Sequence, residues 1–194
     1  MTTARNFQWK EVRNTFHLTN KKGNLFILFA LGSVVSNYLR EQGNYNQYMI
    51  KIALDRDSRV ALENILSACP QRGQMSPLLE NVLKIGAKYE KVFDSDERAK
   101  HNGPTPYPNI SDARKLDTDT PLNSLPSFPA LSLTESSVVA VAFTLASFTI
   151  GTGGISAKLE HVYITELAKD NSYLETPVKQ RIISLADSSD DDDE

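Results

Sequence analysis

The sequence predicts an all-α fold: a four-helix bundle with a long proline-rich loop between helices three and four, and a disordered acidic C-terminal tail. Three observations predict it. Apolar residues recur at three- and four-residue spacing over 24–40, 76–93 and 155–170, the period of one helix face. Ser76, Pro77 and Glu80 form a helix start, with an N-cap, a proline in the first helical position and an acid in the first turn. Six of the nine prolines (Pro104, Pro106, Pro108, Pro121, Pro126 and Pro129) lie between Phe93 and Leu131. Proline lacks a backbone donor and drives its predecessor out of the helical region, so no long helix survives there. A structureless segment of that length inside a domain is usually functional or disordered.

Residues 1–22 read as an N-terminal arm in which Phe7, Val12 and Phe16 can dock and Trp9 is the anchor. Asn20-Lys21-Lys22-Gly23 signals a turn. Helix one covers Asn24 to Arg40, with Leu25, Leu28, Phe29, Gly32, Val35 and Leu39 on one face. Helix two starts near Gln47, and Asp55-Arg56-Asp57-Ser58 either kinks it or caps a new helix over Val60 to Leu66. Cys69, the only cysteine, reads as a small buried thiol and excludes an intrachain disulfide. Helix three buries Leu79, Val82, Leu83, Gly86, Tyr89 and Phe93, leaving Lys84, Lys88 and Lys91 on the wet side. After the loop, Ser132 and Glu135 form a capping box for helix four, Leu133 to Ile150. That helix is apolar all round and so central, although its β-branched content leaves a buried strand as the alternative. Gly151-Thr152-Gly153-Gly154 reverses the chain, and a fifth helical segment runs from Ile155 to Asp170. The domain limits are therefore an arm at 1–22, a bundle at 23–170 containing the loop 94–131, and a C-terminal extension at 171–194.

The formal charge of −3 conceals an uneven distribution. Six acids, Asp187, Asp190, Asp191, Asp192, Asp193 and Glu194, lie in the last eight residues; setting them aside leaves 18 of the 24 acids against 21 Lys and Arg. A mildly basic body suits contact with polyanions, and the tail reads either as a limit on non-specific contact or as a solvated segment. No signal peptide is visible at the N-terminus. The strictly apolar part of the uncharged run from Ser136 to Ala157 is too short for a bilayer span. His17, His101 and His161 have no metal-ligand spacing, and no catalytic or nucleotide-binding motif is present. The expectation is a protein with no catalytic residues, no metal and no cofactor, and so not an enzyme.

The long loop between helix three and an apolar helix four, with charge placed in it, resembles the capsid (coat) proteins of rod-shaped plant RNA viruses of the tobacco mosaic virus type. Three patches carry the resemblance: Phe93-Asp94-Ser95-Asp96-Glu97-Arg98, then Asp112-Ala113-Arg114-Lys115-Leu116-Asp117-Thr118-Asp119, and Ile150-Gly151-Thr152-Gly153. The insert from Pro121 to Ala130 has no counterpart in that pattern. The resemblance implies a structural subunit that self-assembles into a helical viral capsid, located in the virion and host cytoplasm. Arg98, Lys100, Arg114 and Lys115 would neutralise phosphates of single-stranded RNA. Asp94, Asp96, Asp117 and Asp119 would face carboxylates of the next subunit, so protonation would favour assembly. The competing reading is a non-enzymatic helical adaptor whose Pro104-Thr105-Pro106-Tyr107-Pro108 binds a protein partner as polyproline II.

Overall fold

Strands, not helices, take up the apolar segments. The structure, a computed structural model, describes residues 7–39, 49–71, 73–87, 109–115, 119–128 and 133–168. Among the described residues the strands are β1 (Phe7–Val12), β2 (Thr15–Asn20), β3 (Leu28–Tyr38), β4 (Met49–Leu54), β5 (Leu78–Leu79), β6 (Val82–Gly86), β7 (Asn109–Asp112), β8 (Val138–Phe148) and β9 (Gly154–Glu166). One α-helix, α1 (Arg56–Ser67), lies between β4 and β5, and a single 3-10 turn covers Leu122–Ser124. The four-helix bundle expected from the sequence is therefore wrong.

Each misread segment has its own physical reason. In β8, Val139, Val141, Phe143 and Leu145 are buried to 1% or less, while Ala140 and Ala146 are only half buried. An all-round apolar run does not distinguish a central strand from a buried helix, and here the β-branched residues decide. The strand alternative at 138–150 is the one realised. In β9 the inward residues are Ile155, Ala157 and Leu159, then Val162 and Ile164. Phe143 pairs with Leu159 and Ala142 with His161, so Glu160 is a bulged extra residue. That single insertion shifts a two-residue period into what reads as three- and four-residue spacing. Over 76–86 the same effect comes from a tight turn. Glu80 adopts φ 55, and Leu79 pairs with Val82 across it. Ser76 does cap, but a turn rather than a helix: its Oγ accepts from Leu78 N at 3.2 Å.

The helix that does form follows its cap. Asp55 accepts a bond from Ser58 N at 2.8 Å, and α1 then buries Leu62 against the core. The segment expected to be an arm is a hairpin of β1 and β2, turned by Arg13 and Asn14, both in the left-handed region. It joins the sheet where His17 pairs with Ala146. Trp9 anchors it, with Nε1 donating to Ile65 O at 3.1 Å. Cys69 is buried, as its size and surroundings in sequence suggest.

Five strands close on themselves in the order β3–β4–β6–β9–β8–β3. All neighbours are antiparallel except β6 and β9, which touch in parallel through Gly86 and Lys158. A five-stranded Greek-key barrel with that one parallel contact is the OB-fold. Ile52, Leu83, Ile85, Val141, Phe143 and Val162 fill its interior. Gly32 lets β3 cross close to β4, since a Cβ there would collide with the Ala53 carbonyl. β1 and β2 extend the sheet beyond β8, and β7 extends it beyond β9.

Candidate nucleic-acid interface

A barrel strand with its core side filled turns every second residue outward, and on β4 and β6 one such residue on each strand is a lysine. Ile50 and Ile52 point inward on β4, as do Leu83 and Ile85 on β6, which leaves Lys51 and Lys84 outward. The two lysines pair directly across the ladder, Lys51 with Lys84. Like charges directly opposite each other in an antiparallel pair are destabilising. No carboxylate relieves them: the ion pairs among the described residues are Arg59–Glu63, Arg114–Asp112 and Lys158–Glu160.

The row continues on both sides. On β3, Ser36 pairs with Lys51, and its buried Oγ has no hydrogen-bond partner among the described residues. Two residues on, Tyr38 is 40% exposed. On the far side, Gly86 of β6 faces Lys158 of β9, whose ammonium lies 3.9 Å from Glu160. Three adjacent strands thus present a band of cations with an exposed aromatic ring at one border. In the OB-fold the face of the second and third barrel strands, here β4 and β6, is where oligonucleotides and oligosaccharides bind. The turn joining β8 to β9 adds an open depression of about 290 Å³ lined by Gln71, Gly73, Phe148, Thr149, Gly151 and Thr152. Gln71 is held there by Ser147, whose hydroxyl donates to its side-chain oxygen at 2.6 Å.

The residues singled out from the sequence fall elsewhere. Arg114 and Lys115 follow β7, away from the lysine row. The Arg114 guanidinium is already engaged, with its Nε 2.8 Å from Asp112 Oδ1 and a terminal nitrogen 2.6 Å from Oδ2, and it sits 6.0 Å from the Phe128 ring centre. That contact holds the Asp112 carboxyl at about 2, well below the usual carboxylate range. Lys115 and Asp119 are exposed, and no ion pair joins them among the described residues. Arg98, Lys100, Asp94, Asp96 and Asp117 lie outside the described residues, as does Pro104 to Pro108. Sequence reasoning missed Lys51 and Lys84. Their signal was present, because each is a single cation between apolar neighbours, Ile50-Lys51-Ile52 and Leu83-Lys84-Ile85, which is strand alternation.

No protein-family model and no curated protein matches this chain. Solved structures similar to it include a single-stranded DNA-binding protein from bacteriophage Enc34, at TM-score 0.48 and 12% identity, covering 88% of this chain and 99% of that one. The same phage protein in complex with single-stranded DNA gives TM-score 0.48 at 12% identity, covering 86% and 98%. The gp2.5 single-stranded DNA-binding protein of bacteriophage T7 gives 0.44 at 18% identity, covering 75% and 94%. Similarity at this level assigns nothing to this chain by itself. The resemblance to rod-virus capsid proteins is nonetheless overturned. It depended on a bundle, and β3, β8 and β9 occupy the places of its helices. The capsid role falls with it, and the adaptor reading, drawn on the same bundle, gains nothing. Among the described residues no three His, Cys, Asp or Glu side chains cluster to hold a metal ion, and no helix is long and apolar enough to cross a membrane.

Proposed function

We propose that this chain binds single-stranded nucleic acid, without catalysing a reaction, across the outer face of β3, β4 and β6. One observation carries the reading: Lys51 and Lys84 are held side by side on a barrel wall, and among the described residues neither forms an ion pair with a carboxylate. A fold gains nothing from that pairing, whereas a phosphodiester chain does, because each neutralised phosphate releases counterions. Tyr38 offers a ring for a base to stack on, and stacking tolerates any sequence since every base has a π-face. A duplex presents its bases inward and cannot use such a ring. The ligand to try first is single-stranded DNA, for which the similar phage proteins are named.

The test is fluorescence anisotropy of the full chain with a labelled oligothymidylate of about 16 nucleotides, the upper site size of one OB-fold. Matched oligouridylate and duplex arms complete it. Binding to the single strands should weaken with salt, and Lys51→Ala with Lys84→Ala should remove most of it. Wild-type protein that ignores every strand at low salt, or a double variant that binds as well as wild type, ends this assignment.

A further inference from the structure

The line of the two lysines continues onto a hydroxyl that the fold leaves unused. Ser36 of β3 stands opposite Lys51, and Lys51 stands opposite Lys84, so three outward residues follow one another on adjacent strands. At the spacing of neighbouring strands, the line from Ser36 to Lys84 is about 10 Å long. The Ser36 Oγ is the only buried side-chain nitrogen or oxygen without a hydrogen-bond partner among the described residues. The buried hydroxyls of Ser111, Ser137 and Ser147 each have one: His161, the Ala168 backbone N–H and Gln71. Buried polar groups in folded proteins are paired almost without exception, so an unpaired one needs a reason. Its position is also a contrived one. Val35 is an extra residue in β3, and without that bulge Ser36 would turn toward the core rather than stand beside Lys51. Bulges recur next to functional sites because they re-aim a side chain in this way.

We infer that the Ser36 hydroxyl is a binding group, donating to a phosphate oxygen whose charge the Lys51 ammonium neutralises. The inference rests on the nucleic-acid reading of this face and adds to it a donor of a different kind. Ser36 as a residue is only half-buried. Rotation about its Cα–Cβ bond carries the hydroxyl between staggered positions, from the wall toward a ligand. A phosphodiester fits the pair, since its free oxygens only accept and Ser36 and Lys51 both have protons to give. Tyr38 lies two residues on, about 7 Å along the same face, so the base that stacks on it adjoins the phosphate held between β3 and β4. A neutral hydroxyl displaces no counterion. Ser36 therefore adds affinity without adding salt dependence, which separates its contribution from that of a lysine.

The test is anisotropy titration of the full chain with the labelled oligothymidylate of about 16 nucleotides, at several salt concentrations. Ser36→Ala should bind about tenfold more weakly at every salt, the scale of one lost bond to a charged group, with the wild-type slope of log K against log salt. Lys51→Ala should weaken binding and flatten that slope by about 0.7. Ser36→Cys, of similar shape but a weak donor, should lose as much affinity as Ser36→Ala. Without ligand, Ser36→Ala should melt no lower than wild type, since it removes a buried group that has no partner. Ser36→Ala with wild-type affinity, beside a Lys51→Ala that binds weakly, ends this inference and leaves the lysine site standing. A wild type that binds no strand ends both. Wild-type binding by Ser36→Cys, or a slope flattened by Ser36→Ala, also overturns the inference. So does a Ser36→Ala that melts well below wild type, which would make the hydroxyl a structural partner.

Discussion

Substituting Lys84 by Glu should stabilise the protein and disable it in one step. Lys84 sits directly across the β4–β6 ladder from Lys51. Cross-strand pairs of this kind are worth roughly 0.2–1 kcal/mol in either direction, according to the signs of the charges. Turning a repulsive pair into an attractive one therefore recovers about 1 kcal/mol. For a domain of this size that is a rise of about 3 °C in Tm. Binding moves the other way. Each phosphate neutralised on a single strand contributes about −0.7 to the slope of log K against log salt. The substitution removes one ammonium, and the carboxylate it introduces would occupy Lys51 as well. The slope should therefore flatten by about 1.4, two phosphates' worth. Differential scanning calorimetry reads the first effect and anisotropy titrations at several salt concentrations read the second. Lys84→Gln, neutral at similar length, should fall between wild type and Lys84→Glu in both. A Lys84→Glu protein with unchanged slope and affinity would show that the lysine row is not where phosphates sit. A Tm that falls would show that the two ammonium groups do not face each other as the register requires.

Phe143→Ala should cost about 3–5 kcal/mol in urea unfolding, because Phe143 is 1% exposed at the centre of the barrel and the cavity left behind cannot be filled from outside. His161 should make stability depend on pH. Burial holds its imidazole below the ordinary value, with Nε2 2.8 Å from Ser111 Oγ. The unfolded chain therefore takes up a proton first, so this contribution is fully present above about pH 6.5 and is lost as pH falls below it. The urea midpoint should drop between about pH 7.5 and about pH 5.5, and His161→Gln should remove that part of the drop. A variant with the wild-type pH profile would contradict the assignment. Arg114→Ala should lower the urea midpoint only slightly near pH 7, since the pair is partly exposed, and weaken nucleic acid binding less than Lys84→Ala, since the guanidinium is already committed to Asp112. An equal loss of binding from the two would move the interface toward β7.

What could be read from the sequence was local, and what could not depended on pairing. The Asn20-Gly23 turn is as its composition demands: Asn20 Oδ1 accepts from Lys22 N and Asn24 N, and Gly23 adopts φ 86. Asp55 caps a helix because its carboxylate reaches Ser58 N without help from the rest of the chain. Trp9 anchors its segment, although its partner, the Ile65 carbonyl, lies 56 residues away and nothing nearby announces it. The fold class failed because three apparent helical stripes were strands interrupted at a single point: the bulge at Glu160, the turn at Glu80, and β3 with apolar residues on both faces. The site failed for the same reason. Lys51 and Lys84 are 33 residues apart in sequence and become one feature only through the β4–β6 register. Arg114 and Lys115 drew notice because they are adjacent in sequence, yet the charge of Arg114 is spent on Asp112.

Strand β3 is what allows one barrel to carry two unlike surfaces. Up to Ser33 the exposed residues of this stretch have odd numbers: Leu25 and Ile27 ahead of β3, then Phe29 and Leu31 on it, with Ser33 half-buried. Val34 then pairs with Ile52 and Ser36 with Lys51, so Val35 is an extra residue opposite nothing on β4. After that bulge the outward residues have even numbers, Ser36 and Tyr38. A bulge bends its strand and increases the local twist. The first half of β3 therefore belongs to the apolar wall with β8 and β9, through Leu28↔Phe143 to Ser33↔Val138. The second half belongs to the lysine wall with β4 and β6. A straight strand of eleven residues would leave Asn37 outward and Tyr38 inward, taking the Tyr38 ring away from the cations. The extra residue thus separates the apolar half of the strand from the half that lies beside Lys51.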